Sequence, residues 1–88
     1  MSRFDAVWHQ IMSLQGETFH QKRGQPFRYQ VHGNSVWPST TNRQLGRSQF
    51  ERAFERMPIQ GPGQLNDLQG PSYLFAILTD PRIADGSG

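Results

Sequence analysis

Phe27-Arg28-Tyr29-Gln30-Val31-His32-Gly33-Asn34-Ser35-Val36-Trp37-Pro38 alternates apolar and polar residues as far as a Gly-Asn pair and then returns through Val36 and Trp37. Phe27, Tyr29 and Val31 fall on one side of a period-two repeat and Arg28, Gln30 and His32 on the other. That is the pattern of a strand with one buried face. Gly33-Asn34 offers a two-residue hairpin turn. The chain then returns through Ser35, Val36 and Trp37 until Pro38, which has no backbone N–H, ends the ladder. With the turn at that place, Val36 lies opposite Val31 on the apolar face. Trp37 then lies opposite Gln30, on the polar face with Arg28 and His32. A slip of one residue reverses the return arm and buries the tryptophan, and the sequence permits both registers. Before this hairpin, Thr18 to Lys22 can add a strand across the Arg23-Gly24-Gln25-Pro26 loop.

After the hairpin, Pro38 to Met57 reads as a polar, arginine-bearing loop leading into a helix. Ser48 and Glu51 stand in the S-x-x-E relation, which predicts a capping box and a helix beginning after Ser48. Phe50, Ala53, Phe54 and Met57 form its apolar stripe, and Pro58 closes it. Arg52 and Arg56 share a different face, flanked by Glu51 and Glu55.

At the N-terminal end, Phe4, Val7, Trp8, Ile11 and Met12 recur with helical spacing. Ser2 is the expected N-cap, and Gly16 the expected residue after the helix. Gln60 to Gln64 is a turn-rich connector, and Leu65 to Leu68 a single helical turn. Pro71 to Thr79 is expected as a central helix, because proline suits a first helical position and Tyr73 to Leu78 are apolar all round. Asp80-Pro81 stops it, Ile83 returns to the core, and Arg82 is expected in a structural salt bridge. The order is α-β-β-(β)-α-α: an α+β domain with a small antiparallel sheet of two to three strands and three helices on one face.

The chain has 88 residues, enough for one domain, expected over residues 1–83 with 84–88 as a disordered or appended tail. The hydrophobic fraction is 34%, but six Phe, two Trp and two Tyr concentrate apolar area in large side chains. Cysteine is absent, which excludes disulfides and thiolate metal sites. With no signal-peptide pattern and no apolar run long enough to cross a membrane, a cytoplasmic location and no membrane partner are expected.

Net charge is +2, carried by eight Arg and one Lys against seven carboxylates. Arginine presents a planar fork suited to phosphate. The same bias also follows from a GC-rich genome. The first candidate site is the front of the second helix, where Thr41, Asn42, Arg43, Arg47 and Ser48 can surround an anion at free N–H groups. Arg52 and Arg56 extend it, although Glu51 and Glu55 would repel a phosphate backbone. The second is the polar sheet face, where Arg28, Gln30, His32 and Trp37 can stack and hydrogen-bond unpaired bases.

His9, His20 and His32 have no metal-ligand spacing, and no carboxylates pair for acid–base work. No metal, cofactor or catalytic residue is therefore expected. The expected function is a non-enzymatic nucleic-acid-binding module that contacts phosphates through Arg43, Arg47, Arg52 and Arg56. The alternative is a protein-interaction or homodimerisation module. It is suggested by the small core, ten glutamines and more aromatic area than so short a chain readily buries.

Overall fold

The computed structural model describes residues 3–84. The expected Ser2 cap and the Asp85–Gly88 part of the expected tail lie outside the described residues. Among the described residues, four α-helices accompany five short strands in two antiparallel sheets. The α+β class is as expected, with the strands divided more finely.

Helix α1 (Arg3–Ser13) buries Phe4, Val7, Trp8 and Ile11. Met12, expected in that stripe, lies past its edge and is exposed. Gly16 does not act as the expected C′ residue, because the helix ends at Ser13. Its backbone, at φ 88°, instead turns so that its N–H donates to the Tyr29 carbonyl at 2.9 Å.

The smaller sheet joins β1 (Phe19–His20) to β2 (Pro26–Phe27), with Phe19 opposite Phe27. The larger sheet contains β3 (Tyr29–His32), β4 (Ser35–Pro38) and β5 (Leu45–Gly46) in that order. Gly33, at φ 61°, makes the turn, and the register places Val31 opposite Val36 and Gln30 opposite Trp37. Trp37 is therefore on the polar face, and the alternative slip is excluded.

The outer edge of β3 is occupied by the chain that follows α1. Gly16 donates to Tyr29, and the Gln15 side-chain oxygen accepts the Val31 N–H at 3.0 Å. On the other side, Val36 pairs with Leu45 and the Arg47 N–H donates to the Asn34 carbonyl at 2.8 Å. Hydrogen-bonded pairs alternate in an antiparallel ladder, so the next such position on β4 is Pro38. It has no N–H to give, which explains why β5 stops after two residues.

Strand β5 was not legible as a strand, and it alters the start of the next helix. Pairing with β4 holds Gly46 extended (φ −72°, ψ 155°), and α2 (Arg47–Glu55) begins directly after it. Gly46 is thus the N-cap. Ser48 falls one residue inside the helix, and the expected Ser48–Glu51 capping box does not form. Phe50 and Ala53 are buried, while Phe54 and Met57 are half-buried against the same core.

A 3-10 turn occupies Pro62–Leu65, and the expected turn at Leu65–Leu68 follows it, closed by the Leu68 N–H donating to the Leu65 carbonyl at 2.9 Å. Helix α3 (Pro71–Leu78) follows the left-handed Gly70 and ends at Thr79, whose hydroxyl donates to the Phe75 carbonyl. Helix α4 (Pro81–Ala84) buries Ile83, as expected, and takes in Ala84, the first residue of the expected tail.

Two aromatic runs thread a core otherwise filled by aliphatic side chains such as Ile11, Leu45, Leu74 and Ile77. Phe54, Phe4, Trp8 and Phe50 follow one another at centroid distances of 5.7, 6.3 and 5.9 Å. Tyr73, Phe27, Phe19 and Tyr29 do so at 5.0, 6.1 and 5.3 Å. Most of the expected aromatic surplus is absorbed in this way; Trp37 is the exposed exception.

Candidate nucleic-acid interface

The front of α2 does not assemble the expected anion cluster. The Arg47 guanidinium turns toward α1, lying 2.6 Å from an Asp5 carboxylate oxygen and 5.4 and 5.6 Å from the ring centres of Phe4 and Trp8. The depression at that helix end is lined by Asn34, Gly46, Arg47, Ser48 and Glu51, so it contains a carboxylate. Neither Asn42 nor Arg43 lines it. Both are exposed on the loop before β5, where the Arg43 N–H donates to Thr41 Oγ1.

The outer face of α2 is also committed. Arg56 makes a forked pair with Asp67 at 2.6 and 2.7 Å and reaches the Gln64 carbonyl at 3.3 Å. These charge-assisted bonds hold the Asp67 carboxyl down at about 2, so the pair is ionised at neutral pH. Gln49 accepts the Gln69 N–H and adds a second tie to the same loop. Arg52 is exposed beside this pair.

The polar face of the β3–β4 hairpin does bring its residues together. The Ser39 N–H donates to the Arg28 carbonyl at 2.7 Å, and the Arg28 N–H donates to Ser39 Oγ at 3.0 Å. The antiparallel register thus extends one pair beyond the assigned strands. Alternation then sets Arg28, Gln30 and His32 of one arm beside Ser39, Trp37 and Ser35 of the other. The His32 ring meets Trp37 edge-on, 6.4 Å between centroids and 75° between planes. Trp37 is 41% exposed, a high value for so large a ring.

The Arg28 Nε–H reaches Thr18 Oγ1 at 3.4 Å. A depression lined by Thr18, Pro26, Phe27, Arg28 and Ser39 opens beside it. No carboxylate belongs to this set of face and depression residues. Ser35, Ser39 and Thr18 were missed as site residues because only the pairing places them beside Trp37 and Arg28. Once the turn is taken as fixed, strand parity is the signal that finds Ser35 and Ser39.

Among the described residues, no three His, Cys, Asp or Glu side chains gather as a metal site. No helix among them is long and apolar enough to cross a membrane. No family model, curated protein or solved structure matches the chain.

Proposed function

We propose that this domain binds single-stranded nucleic acid on the polar face of the β3–β4 hairpin. The observation that carries this reading is Trp37: a large, solvent-exposed ring on a carboxylate-free face, flanked by Arg28 and His32. An unpaired base stacked on Trp37 contributes roughly 1–3 kcal/mol and is accepted with little regard to sequence. Arg28 supplies a planar fork for the adjoining phosphate, and Gln30 and Ser39 supply hydrogen-bonding groups for base edges. A duplex keeps its bases stacked on each other and cannot use the ring in this way.

Intrinsic fluorescence tests the proposal, since Trp8 is buried and Trp37 is exposed. Titration with oligo-dT and oligo-U is expected to quench the Trp37 signal, with affinity falling as salt rises. Trp37→Ala is expected to weaken binding by about 10-fold or more. Absence of salt-dependent binding by the native protein, or equal binding by the Trp37→Ala protein, overturns the reading. A second reading, self-association, draws on the same exposed ring. It is favoured if the protein dimerises with Trp37 protected and the Trp37→Ala protein is monomeric.

A further inference from the structure

We infer that the nucleic-acid path continues past the hairpin face into a cationic groove between the β1–β2 loop and the start of α3, which takes the backbone phosphates of the same strand. This inference rests on the proposed use of the hairpin face and extends it to residues outside that face.

Three depressions follow one another along this side of the molecule. The first is the one beside Arg28 and Ser39, which includes Pro26. Pro26 also lines the second, together with Gln21, Gln25, Thr40 and Tyr73. Gln21 and Gln25 then line the third, with Lys22, Arg23, Pro62 and Ser72. The third offers about 620 Å³, more than a single phosphate-sized group requires. Neighbouring depressions share wall residues, so they lie side by side in a row leading away from the sheet face, and this row is the proposed track.

The chemistry of the track matches a phosphodiester chain. It carries Arg28 at one end and Lys22 and Arg23 at the other, with hydroxyl and amide groups between them and no carboxylate in its lining. The depression in front of α2 contrasts with it, since Glu51 lines that one and its arginine is paired. Among the described residues, no carboxylate lies within ion-pair distance of Lys22, Arg23 or Arg28.

The walls are also fixed in place. Lys22 Nζ donates to the Gln60 carbonyl at 3.3 Å, retaining two N–H donors for a ligand. The Thr40 and Tyr73 hydroxyls are 2.7 Å apart, and the Tyr73 ring meets Phe27 edge-on. The loop carrying Lys22 and Arg23 is closed by bonds from Gln21 N–H to the Gln25 carbonyl and from Gly24 N–H to the Gln21 carbonyl. A loop held in this way presents its cations with little backbone ordering cost on binding.

Binding of a length series of oligo-dT and oligo-U, from dinucleotide to decamer, tests the extension. The variants are Lys22→Ser/Arg23→Ser and the single Arg23→Ser, with circular dichroism confirming the fold. For the decamer, the double variant is expected to lower the slope of log affinity against log salt by about 1.4, as two phosphate contacts are lost from a single strand. The single variant is expected to lower it by about half as much. Dinucleotide binding to the sheet face is expected to stay unchanged. Native decamer affinity and slope in both variants, with Trp37→Ala still weakening binding, overturn the groove and leave the sheet-face reading standing. Loss of dinucleotide and decamer binding in equal measure also overturns the groove. Absence of any oligonucleotide binding by the native protein overturns both.

Discussion

Arg47 reaches back from the first turn of α2 to Asp5 on α1, closing to 2.6 Å while its guanidinium lies against Phe4 and Trp8. Both charged side chains are about one-third exposed, at 34% and 37%, so solvent screens the ion pair. The rings add cation–π attraction. Arg47→Ala is expected to destabilise the fold by about 1–2 kcal/mol, with less than about 1 kcal/mol of coupling to Asp5 in a double-mutant cycle. Urea unfolding of the two single variants and the double variant measures this. Oligonucleotide affinity is expected to be unaffected, which separates this arginine from Arg28.

Gly70 is expected to be intolerant of a side chain. Its backbone is left-handed at φ 60°, and an added Cβ would lie 2.6 Å from Leu45 Cδ2. Leu45 is fully buried, so its side chain has little room to retreat. Gly70→Ala combines the left-handed penalty with overpacking and should cost about 2–4 kcal/mol. A thermal melt of the variant checks it. Gly24 provides a control: its φ is also positive, at 91°, but the space around it is open. Gly24→Ala should therefore cost only the backbone part, about 1–2 kcal/mol.

Tyr29 couples the sheet to α1 through a phenol that donates to the Ile11 carbonyl. Burial drives its pKa well above the ordinary phenolic value, with the Arg82 charge opposing the shift. The folded state therefore holds a proton that the unfolded chain releases above about pH 10. Stability from this group is present below that pH and is lost as pH rises beyond it. Tyr29→Phe should flatten the alkaline limb of a stability–pH profile. Near neutrality it should cost about 1–2 kcal/mol, because the Ile11 carbonyl loses a buried partner.

Arg82 is expected to anchor the C-terminal turn. Its guanidinium lies 4.2 Å from the Phe19 ring centre, donates to the Thr18 carbonyl at 2.8 Å and grips both Asp80 oxygens at 3.0 Å. The Arg82 hydrogen bonds hold the Asp80 carboxyl below its usual range. The resulting stability is present above about pH 4 and is lost as pH falls toward the lowered value. Asp80→Asn can still accept the Arg82 N–H while losing the charge, so it should weaken the acid limb selectively. Arg82→Ala should cost about 1–2 kcal/mol at neutral pH, read by urea unfolding.

Elements written in short-range chemistry were legible from the sequence. Gly33-Asn34 marked the hairpin, the Phe27–Val31 alternation marked its inner face, and Gly70-Pro71 marked the entry to α3. Strand β5 was not, since two residues carry no periodicity and Leu45-Gly46 is a strand only because Val36 and Ser35 pair with it. That pairing also displaced the capping box: the Ser48–Glu51 spacing is a local signal, overridden when β5 delivered Gly46 already extended. The fate of the arginines was hidden for a similar reason. Asp5 lies 42 positions before Arg47, and Asp67 lies 11 after Arg56, so neither pair belongs to one helical face. Arg28, Gln30 and His32 share a side by strand parity alone, but Trp37 joins them in only one of the two registers the sequence permits, and the pairing of Gln30 with Trp37 decides it.

Gln15 lends its amide oxygen to the flank of β3, and on β4, past the two residues that β5 covers, Pro38 withholds a donor. A visiting chain in search of main-chain pairing finds no free donor at either of these two places, so annexing a strand there is not an easy route onto this sheet. On the proposed reading, recognition turns from backbone to side chain, with the docking strand coming down over the indole rather than in along those edges. The same arrangement denies a neighbouring copy those two places as templates, on a sheet that also carries a bare tryptophan.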